Sequence, residues 1–130
     1  LEALAPASSL AKLAARGKGS FENLLRGPES LGGLLESASC AAVPSPGAPH
    51  PGEEPYFRGG YNTARYRTGG TGDGFFSLQV ECPRPGVRDT PENRRRFAET
   101  FAEALDVWLE RHAGIRLREG RGGLPKGGSE

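Results

Sequence analysis

The chain has 130 residues, about the size of one domain, and its formal net charge at pH 7 is +1. A charge so close to zero gives no global electrostatic field that would favour binding to nucleic acid or to membranes. Glycine (20 residues) and proline (11 residues) are frequent and clustered. The ordered core must therefore come from roughly 80 to 90 residues, a size at which burial alone gives marginal stability.

The sequence contains no methionine, so we expect the chain to be a piece of a longer protein or a processed one. No apolar run approaches the roughly 18 residues of a membrane span, and no signal-peptide pattern is present. Cys40 and Cys82 are too few for a disulfide framework or a metal site, and they are predicted to be half-buried free thiols in a reducing compartment. The sequence therefore predicts a cytoplasmic location, with neither a membrane nor a nucleic acid as partner.

The first predicted element is a short helix near the beginning of the chain. Residues 1–7 carry no clear helix-start signal and are interpreted as a truncated lead-in. Ser8 or Ser9 can cap the helix that follows, and Gly17 can end it. Its apolar face is formed by Leu10, Leu13 and Ala14.

A second helix is predicted to begin at Pro28, because proline is favourable at the first helical position. Leucines then recur at helical spacing, and Gly32 and Gly33 weaken the helix unless a neighbour packs closely against them. Residues 40–43 are predicted to form a short buried strand. Residues 44–55 are predicted to form a proline-rich surface loop.

The central predicted element is a strand at residues 75–83. Apolar residues alternate along it, which indicates one buried side and one side that becomes polar toward the end. Pro83 cannot donate a backbone hydrogen bond and ends the strand, so Glu81 lies near its exit. The apolar positions are Phe76, Leu78, Val80 and Cys82.

The last predicted element is a long helix over residues 91–112. Thr90 is its cap, Pro91 its first residue, and Gly114 can end it. The residues from 114 to 130 are rich in glycine and arginine and are predicted to be disordered. The apolar face of the helix is formed by Phe97, Phe101, Ala104, Leu105, Trp108 and Leu109.

Helices on both sides of strands predict an α/β layered fold, and two strands are too few for a complete sheet. A carboxylate at the end of a strand is where such folds usually place ligand chemistry. Glu81 could therefore act as a general base. The alternative is a strand-end carboxylate that simply pairs with a local arginine.

Arginines are concentrated around the central strand, where five of them face only Asp73 and Glu81 and give a local charge of +3. Because the guanidinium group binds carboxylates and phosphates through two hydrogen bonds, this region suits a small anion. The alternative is a solvated loop with scattered charge. The arginines are Arg58, Arg65, Arg67, Arg84 and Arg88.

Two further patterns carry less information. Arg58-Gly59-Gly60-Tyr61 and Arg121-Gly122-Gly123 are similar to the Arg-Gly-Gly segments of RNA-binding proteins, but the net charge of +1 argues against that function. His50 and His112 have no second ligand at metal-binding spacing, so the sequence predicts no complete metal site in this chain.

The sequence resembles the C-terminal half of N-formylglutamate amidohydrolase-like proteins over roughly residues 8–111. The residues that carry the resemblance are Arg26-Gly27-Pro28-Glu29-Ser30-Leu31-Gly32-Gly33-Leu34-Leu35-Glu36, Ala42-Val43-Pro44-Ser45-Pro46, Tyr56-Phe57-Arg58-Gly59-Gly60-Tyr61-Asn62-Thr63, Leu78-Gln79-Val80-Glu81 and Asn93-Arg94-Arg95-Arg96-Phe97. The Gly-Gly-Tyr-Asn-Thr and Gln-Val-Glu blocks, in that order, are the most specific of them.

The resemblance implies a zinc-carboxypeptidase-like layered fold with a mixed sheet and a long C-terminal helix. It also implies that a metal-bound water attacks an amide or formyl carbonyl, with Glu81 in the position of the general base. The zinc ligands would lie in the N-terminal half of the domain, which this chain lacks. Substrate-binding residues implied in the same way are Arg58, Gly59, Gly60, Tyr61, Thr63, Arg65, Gln79 and Arg84.

The sequence also departs from the family pattern. Thr63-Ala64-Arg65-Tyr66-Arg67 stands where the family often has Thr-Arg, a basic or aromatic residue, Tyr and Gly. Ser39 stands where a glycine is usual at the end of a helix. The first departure leaves the exact substrate open, and formylglutamate itself is not assumed.

Residues 8–113 are therefore interpreted as the C-terminal part of a hydrolase domain that acts on a small anionic amide. On its own the chain is expected to be inactive, because its missing N-terminal half would hold half of the site. The alternative is a non-catalytic module that binds an anion or a partner's strand at an exposed edge, with an Arg-Gly-Gly RNA binder as a further alternative.

Overall fold

The computed structural model describes residues 1–17, 19–56, 59–65 and 76–117, and most of them lie in helices. An irregular turn at Arg84–Arg88 leads into the longest helix. Among the helices in these ranges, none has both the length and the apolar character needed to cross a membrane. The elements are a 3-10 helix at Glu2–Ala7, α1 at Ala11–Arg16, α2 at Phe21–Arg26, α3 at Leu31–Ser37, α4 at Tyr61–Arg65 and α5 at Pro91–Ala113.

The prediction of an α/β fold, with the mixed sheet of a zinc-carboxypeptidase-like domain, is wrong. The structure has no strand within its described residues. Residues 40–43 and 76–83 are irregular, and residue 75 lies outside the described part. An alternating apolar pattern becomes a strand only when another segment pairs with its backbone, and no described segment does so.

The long helix is confirmed. The hydroxyl of Thr90 accepts a hydrogen bond from the backbone N–H of Asn93 at 3.1 Å, and Pro91 is the first helical residue. Gly114 ends α5 in a left-handed conformation with φ of 69°. All these signals lie within a few residues of the helix ends, which is why the sequence could predict both of them.

The short helices differ from their predictions in detail. α3 begins at Leu31 rather than at Pro28, because the buried hydroxyl of Ser30 accepts the N–H of Gly33 at 3.0 Å and so caps the helix. At α1 the N-cap position is Leu10, and Ser8 instead accepts the N–H of Leu10. Gly17 follows the end of α1 as predicted.

The core lies where α1 and α2 meet the C-terminal half of α5. Trp108 is only 1% exposed, and the ring of Phe76 contacts it edge-on, with the ring centroids 5.7 Å apart. Full burial of a large apolar side chain contributes about 1.5 to 3 kcal/mol, so this cluster dominates the stability of the described part. The fully buried members are Leu10, Leu13, Phe21, Leu24 and Trp108.

The close neighbours predicted for the glycine pair are present: the loop after α3 lies against Gly32, and the backbone of Gly27 and Pro28 lies against Gly33. A Cβ atom on Gly32 would overlap the carbonyl oxygen of Pro44, so only glycine fits there. The fully buried Ser45 donates a hydrogen bond to Glu36 Oε1 at 3.2 Å, and the N–H of Gly47 donates to Glu36 Oε2 at 3.1 Å. These contacts fix the start of the proline-rich loop against α3 and build one wall of the cleft described below.

Long-range contacts also involve both ends of the described chain. The carboxylate of Glu2 accepts the N–H groups of Phe21 and Glu22, each at 3.1 Å, and thereby caps α2 from 19 and 20 residues away. At the other end, His112 Nε2 lies 2.9 Å from the carbonyl oxygen of Glu29. Of the tail predicted to be disordered, residues 118–130 lie outside the described residues.

Candidate functional site

The Gly-Gly-Tyr-Asn-Thr block forms a tight turn into α4. The backbone N–H of Gly60 donates to Thr63 Oγ1 at 2.8 Å, and the Thr63 hydroxyl donates to the Gly60 carbonyl at 2.9 Å. Gly59 has a φ of 88°, a left-handed conformation that favours glycine, and a Cβ atom there would lie 2.5 Å from Thr63 Oγ1. The residue types of this block are therefore needed for the turn itself.

The Gln-Val-Glu block lies directly against this turn. The Ser77 hydroxyl donates to the Thr63 carbonyl at 3.3 Å, and a Cβ atom on Gly60 would lie 3.2 Å from Gln79 Oε1. The side-chain amide of Gln79 donates to Glu81 Oε1 at 2.5 Å. Two blocks that are separated in the sequence thus meet in one place.

Both blocks open onto a cleft of about 1090 Å³. One wall is apolar and comes from α3 and from the N-terminal half of α5, while the polar groups lie at its rim. The polar rim includes Gly60, Thr63, Gln79 and Glu81, and the apolar wall includes Phe97 and Phe101. A mainly apolar cleft with a few convergent polar groups is the usual form of a ligand site.

The structure brings together some of the residues expected at the site and separates others. Those that line the cleft are Gly59, Gly60, Thr63, Gln79 and Glu81. Tyr61, Arg65 and Arg84 are exposed and lie outside the lining of this cleft. Arg58 is outside the described residues, as is Arg67. The rim is therefore assembled, but no described arginine is among the residues that line the cleft.

Several arginines instead surround the turn before α5. Arg88 Nε donates to the Pro83 carbonyl at 3.4 Å, Arg94 Nη1 to the Arg88 carbonyl at 2.9 Å, and Arg96 Nη2 to the Gly86 carbonyl at 3.0 Å. Three positive side chains are thereby held around a single turn. This arrangement makes the turn, rather than the cleft, the basic surface of the described chain.

The same turn contains a carboxylate with an altered pKa. The backbone N–H of Gly86 donates to Asp89 Oδ2 at 2.9 Å, and the Asn93 amide donates to Asp89 Oδ1 at 2.7 Å. These hydrogen bonds, the one from Gly86 first, lower the pKa of Asp89 below its usual value because they favour the charged form. Asp89 is thus committed to holding the turn.

A zinc ion is implied by the resemblance, but the described residues do not fit one. They include no group of three or more His, Cys, Asp and Glu side chains placed to hold a metal. Both histidines have partners within the described residues: His50 Nδ1 accepts the N–H of Gly52 at 3.1 Å, and the ring of His112 contacts the Glu29 carbonyl and the ring of Trp108. No chemical step is therefore derived through a metal.

Two cleft residues were missed by the sequence analysis. Glu36 lines the cleft and uses its carboxylate to hold the loop at Ser45 and Gly47. Trp108 also lines the cleft, and its buried Nε1–H has no hydrogen-bond partner among the described residues. The only sequence signal for the role of Glu36 is a weak one, a glutamate on α3 followed by a Ser-Pro-Gly loop. No sequence signal predicts that Trp108 lines the cleft.

The two cysteines, predicted as half-buried free thiols, are free and half-buried, and both line the cleft.

Comparison of the chain with protein-family models, with curated proteins and with solved structures finds no match. The features that indicate a function are therefore the geometry of the rim and the sequence blocks that form it.

Proposed function

We propose that the chain is the C-terminal portion of a metal-dependent amidohydrolase that acts on an acyl- or formyl-amino acid or a similar carboxylate-bearing amide. One observation carries the proposal. The glycine turn at residues 59–63 contacts Ser77 and approaches Gln79, with Glu81 beside them at the rim of the cleft. These are the two blocks that are most specific in the resemblance.

In this proposal Glu81 is the general base. Its carboxylate is exposed at the rim, and the Gln79 amide holds Oε1. No described residue donates to Oε2, so that oxygen can accept the proton of a water molecule that attacks the carbonyl carbon. Gln79 is then a positioning residue that fixes the direction of the carboxylate.

The anionic end of the substrate would be bound by arginine. Arg65 and Arg84 are exposed, and neither makes a hydrogen bond or ion pair within the described ranges. Arg58 precedes the glycine turn directly in the sequence. A guanidinium group binds a carboxylate through two parallel hydrogen bonds, which would orient the amide relative to Glu81. Gly59, Gly60, Tyr61 and Thr63 would shape the surface between them.

The zinc implied by the resemblance belongs to this proposal only as part of a longer cytoplasmic protein. Its ligands would lie in an N-terminal half of the domain outside this chain. The chain by itself would then be inactive, because Glu81 would have no activated water to deprotonate.

The test is a Glu81→Gln substitution in the protein expressed together with its flanking sequence. Hydrolysis of N-formyl and N-acyl amino acids should fall by about 10² to 10⁴, the usual contribution of a general base. Zinc content, measured by elemental analysis, should stay unchanged. Glu53→Gln is the matched control, since Glu53 is exposed and does not line the cleft.

Unchanged turnover in Glu81→Gln would remove this residue from the mechanism. A protein with its flanking sequence and zinc that hydrolyses no carboxylate-bearing amide would overturn the assignment as a hydrolase. If Glu53→Gln lost as much activity as Glu81→Gln, the loss would report a general effect of charge rather than a base.

A further inference from the structure

Residues 76–83 form an irregular segment whose backbone is largely unpaired within the described part of the chain. Neither helix, turn nor bend interrupts it. None of the backbone N–H or C=O groups of residues 76–82 forms a hydrogen bond with any described residue. Its contacts are made by side chains, as with the Ser77 hydroxyl and the Gln79 amide. An unbent segment with free donors and acceptors is a template for pairing with another strand.

The side chains of this segment favour the same use. Leu78 is 39% exposed and Val80 is 47% exposed, although both have strong apolar character. Both line the cleft, whose far wall carries Phe97 and Phe101, stacked with ring centroids 5.6 Å apart. A strand laid beside residues 76–83 would cover these side chains while its backbone completed the hydrogen bonds.

The charge of the neighbouring residues indicates the chemistry of a strand that could pair with residues 76–83. Between residues 84 and 96 five arginines stand against Asp89 and Glu92, which gives a local charge of +3. All five arginines are exposed, and the hydrogen bonds described above hold three of them around the turn that follows Pro83. Asp89 already accepts hydrogen bonds from within the turn. Acidic residues on a partner would therefore be attracted to this end of the segment.

A second copy of the chain does not provide acidic residues opposite this positive charge. If two copies paired in parallel, their arginine turns would lie side by side and repel each other. If they paired antiparallel, each arginine turn would lie at the Phe76 end of the other copy, where the contacts of Phe76 and Ser77 among the described residues are with the Trp108 ring and the Thr63 carbonyl. The charge pattern thus favours a different polypeptide.

We propose that residues 76–83 accept a β-strand from another polypeptide, which has alternating apolar side chains and acidic residues at the end lying beside Pro83. The strand would occupy the cleft between Val80 and Phe101. This interaction depends on backbone pairing and on the arginine turn, so it stands or falls independently of hydrolysis at Glu81.

The test uses synthetic peptides and the complete 130-residue chain. One peptide has three glutamates followed by alternating valine and threonine, and a second has the glutamates at its other end, so that both strand directions are covered. Binding is measured by calorimetry, and amide hydrogen exchange by mass spectrometry. One of the two peptides should bind and should slow exchange within residues 76–82.

The matched variants are Val80→Lys and Val107→Lys. Both valines are exposed to a similar degree, 47% and 43%, but Val107 lies on α5 outside the cleft. Val80→Lys should weaken peptide binding by about tenfold or more, because it places a charge in the apolar contact. Val107→Lys should leave the affinity unchanged within about twofold.

Each of the following results would overturn the proposal. Binding of neither peptide, or binding without slowed exchange in residues 76–82, would exclude strand pairing. Equal binding by a peptide whose valines carry N-methylated backbone nitrogens would show that backbone hydrogen bonds are not used. Equal binding by a peptide with lysines in place of glutamates would exclude the arginine turn. Self-association of the chain through residues 76–82, seen by ultracentrifugation, would assign the surface to a second copy.

Discussion

The two halves of α5 carry one continuous apolar stripe but have different surroundings. In the C-terminal half, Ala104 and Trp108 are buried, at 7% and 1% exposure, and Trp108 packs in the core cluster with residues of α1 and α2. In the N-terminal half, Phe97 and Phe101 stack on each other and remain only half-buried at the wall of the cleft. Periodicity sets which side of the helix is apolar, whereas burial is set by what packs against it.

The largest effect is expected at the buried end. Trp108→Ala should lower the free energy of unfolding by roughly 3 to 5 kcal/mol, because it removes the largest side chain of the core and leaves a cavity. Denaturant titration followed by circular dichroism measures this. Val107→Ala, one residue away but exposed, is the control and should cost less than about 1 kcal/mol. Similar losses in both variants would contradict the core described here.

An intermediate effect is expected at the cleft. Phe101→Ala should cost roughly 1 kcal/mol, since a half-exposed ring opening onto a cleft leaves no closed cavity behind. The same titration measures it, at several protein concentrations. A loss as large as that of Trp108→Ala, or one that changes with concentration, would show that the cleft is covered in solution, and the contrast between the two halves would disappear.

The smallest effect concerns the exposed turn before α5. Hydrogen bonds from Gly86 and Asn93 lower the pKa of Asp89 in the folded chain below its ordinary value of 3.8. The carboxylate therefore stabilises the fold at pH values above the unfolded pKa, and this contribution is lost as the pH falls through the lowered pKa of the folded state. Asp89→Asn should make unfolding less sensitive to pH between about 5 and about 2.

Thermal unfolding measured across that pH range checks whether the charged carboxylate of Asp89 stabilises the fold. Asp106→Asn is not a suitable control, because the Leu117 N–H also donates to that carboxylate. Glu53→Asn serves as the control instead, because Glu53 is not among the residues that shift the pKa of Asp89. The same pH dependence in Asp89→Asn and in the unmodified chain would show that the turn does not hold the charged form.

The sequence could predict α5 because every signal for it is local. The cap at Thr90, the proline at 91 and the glycine at 114 act within one helical turn of the ends, and each is present in the structure. α3 shows the limit of such reasoning. Pro28 and Ser30 are both good start signals, and the buried hydrogen bond of Ser30 decides between them.

The sheet could not be predicted in the same way, because a strand depends on a partner elsewhere in the chain or outside it. Residues 76–83 have the correct alternation but no pairing within the described residues. The cap that Glu2 provides for α2 was missed for a related reason, since nothing near Phe21 in the sequence points to a residue 19 positions earlier.

Part of the candidate site could be anticipated and part could not. The glycine turn and the Gln79–Glu81 pair were singled out as sequence blocks, and the structure places them together. The arginines were expected with them, but charge composition says nothing about where a long side chain ends. Of the described arginines expected at the site, Arg84 and Arg88 lie in the turn before α5, and Arg65 lies at the exposed end of α4.

Trp108 is the only tryptophan of the chain and belongs both to the core and to the wall of the cleft. Its indole is shielded from solvent, and within residues 1–17, 19–56, 59–65 and 76–117 its N–H has no acceptor. Trp108 is therefore an intrinsic fluorophore whose emission wavelength reports unfolding. A ligand that offers an oxygen atom to the indole N–H would shift the emission to longer wavelength without any loss of helix.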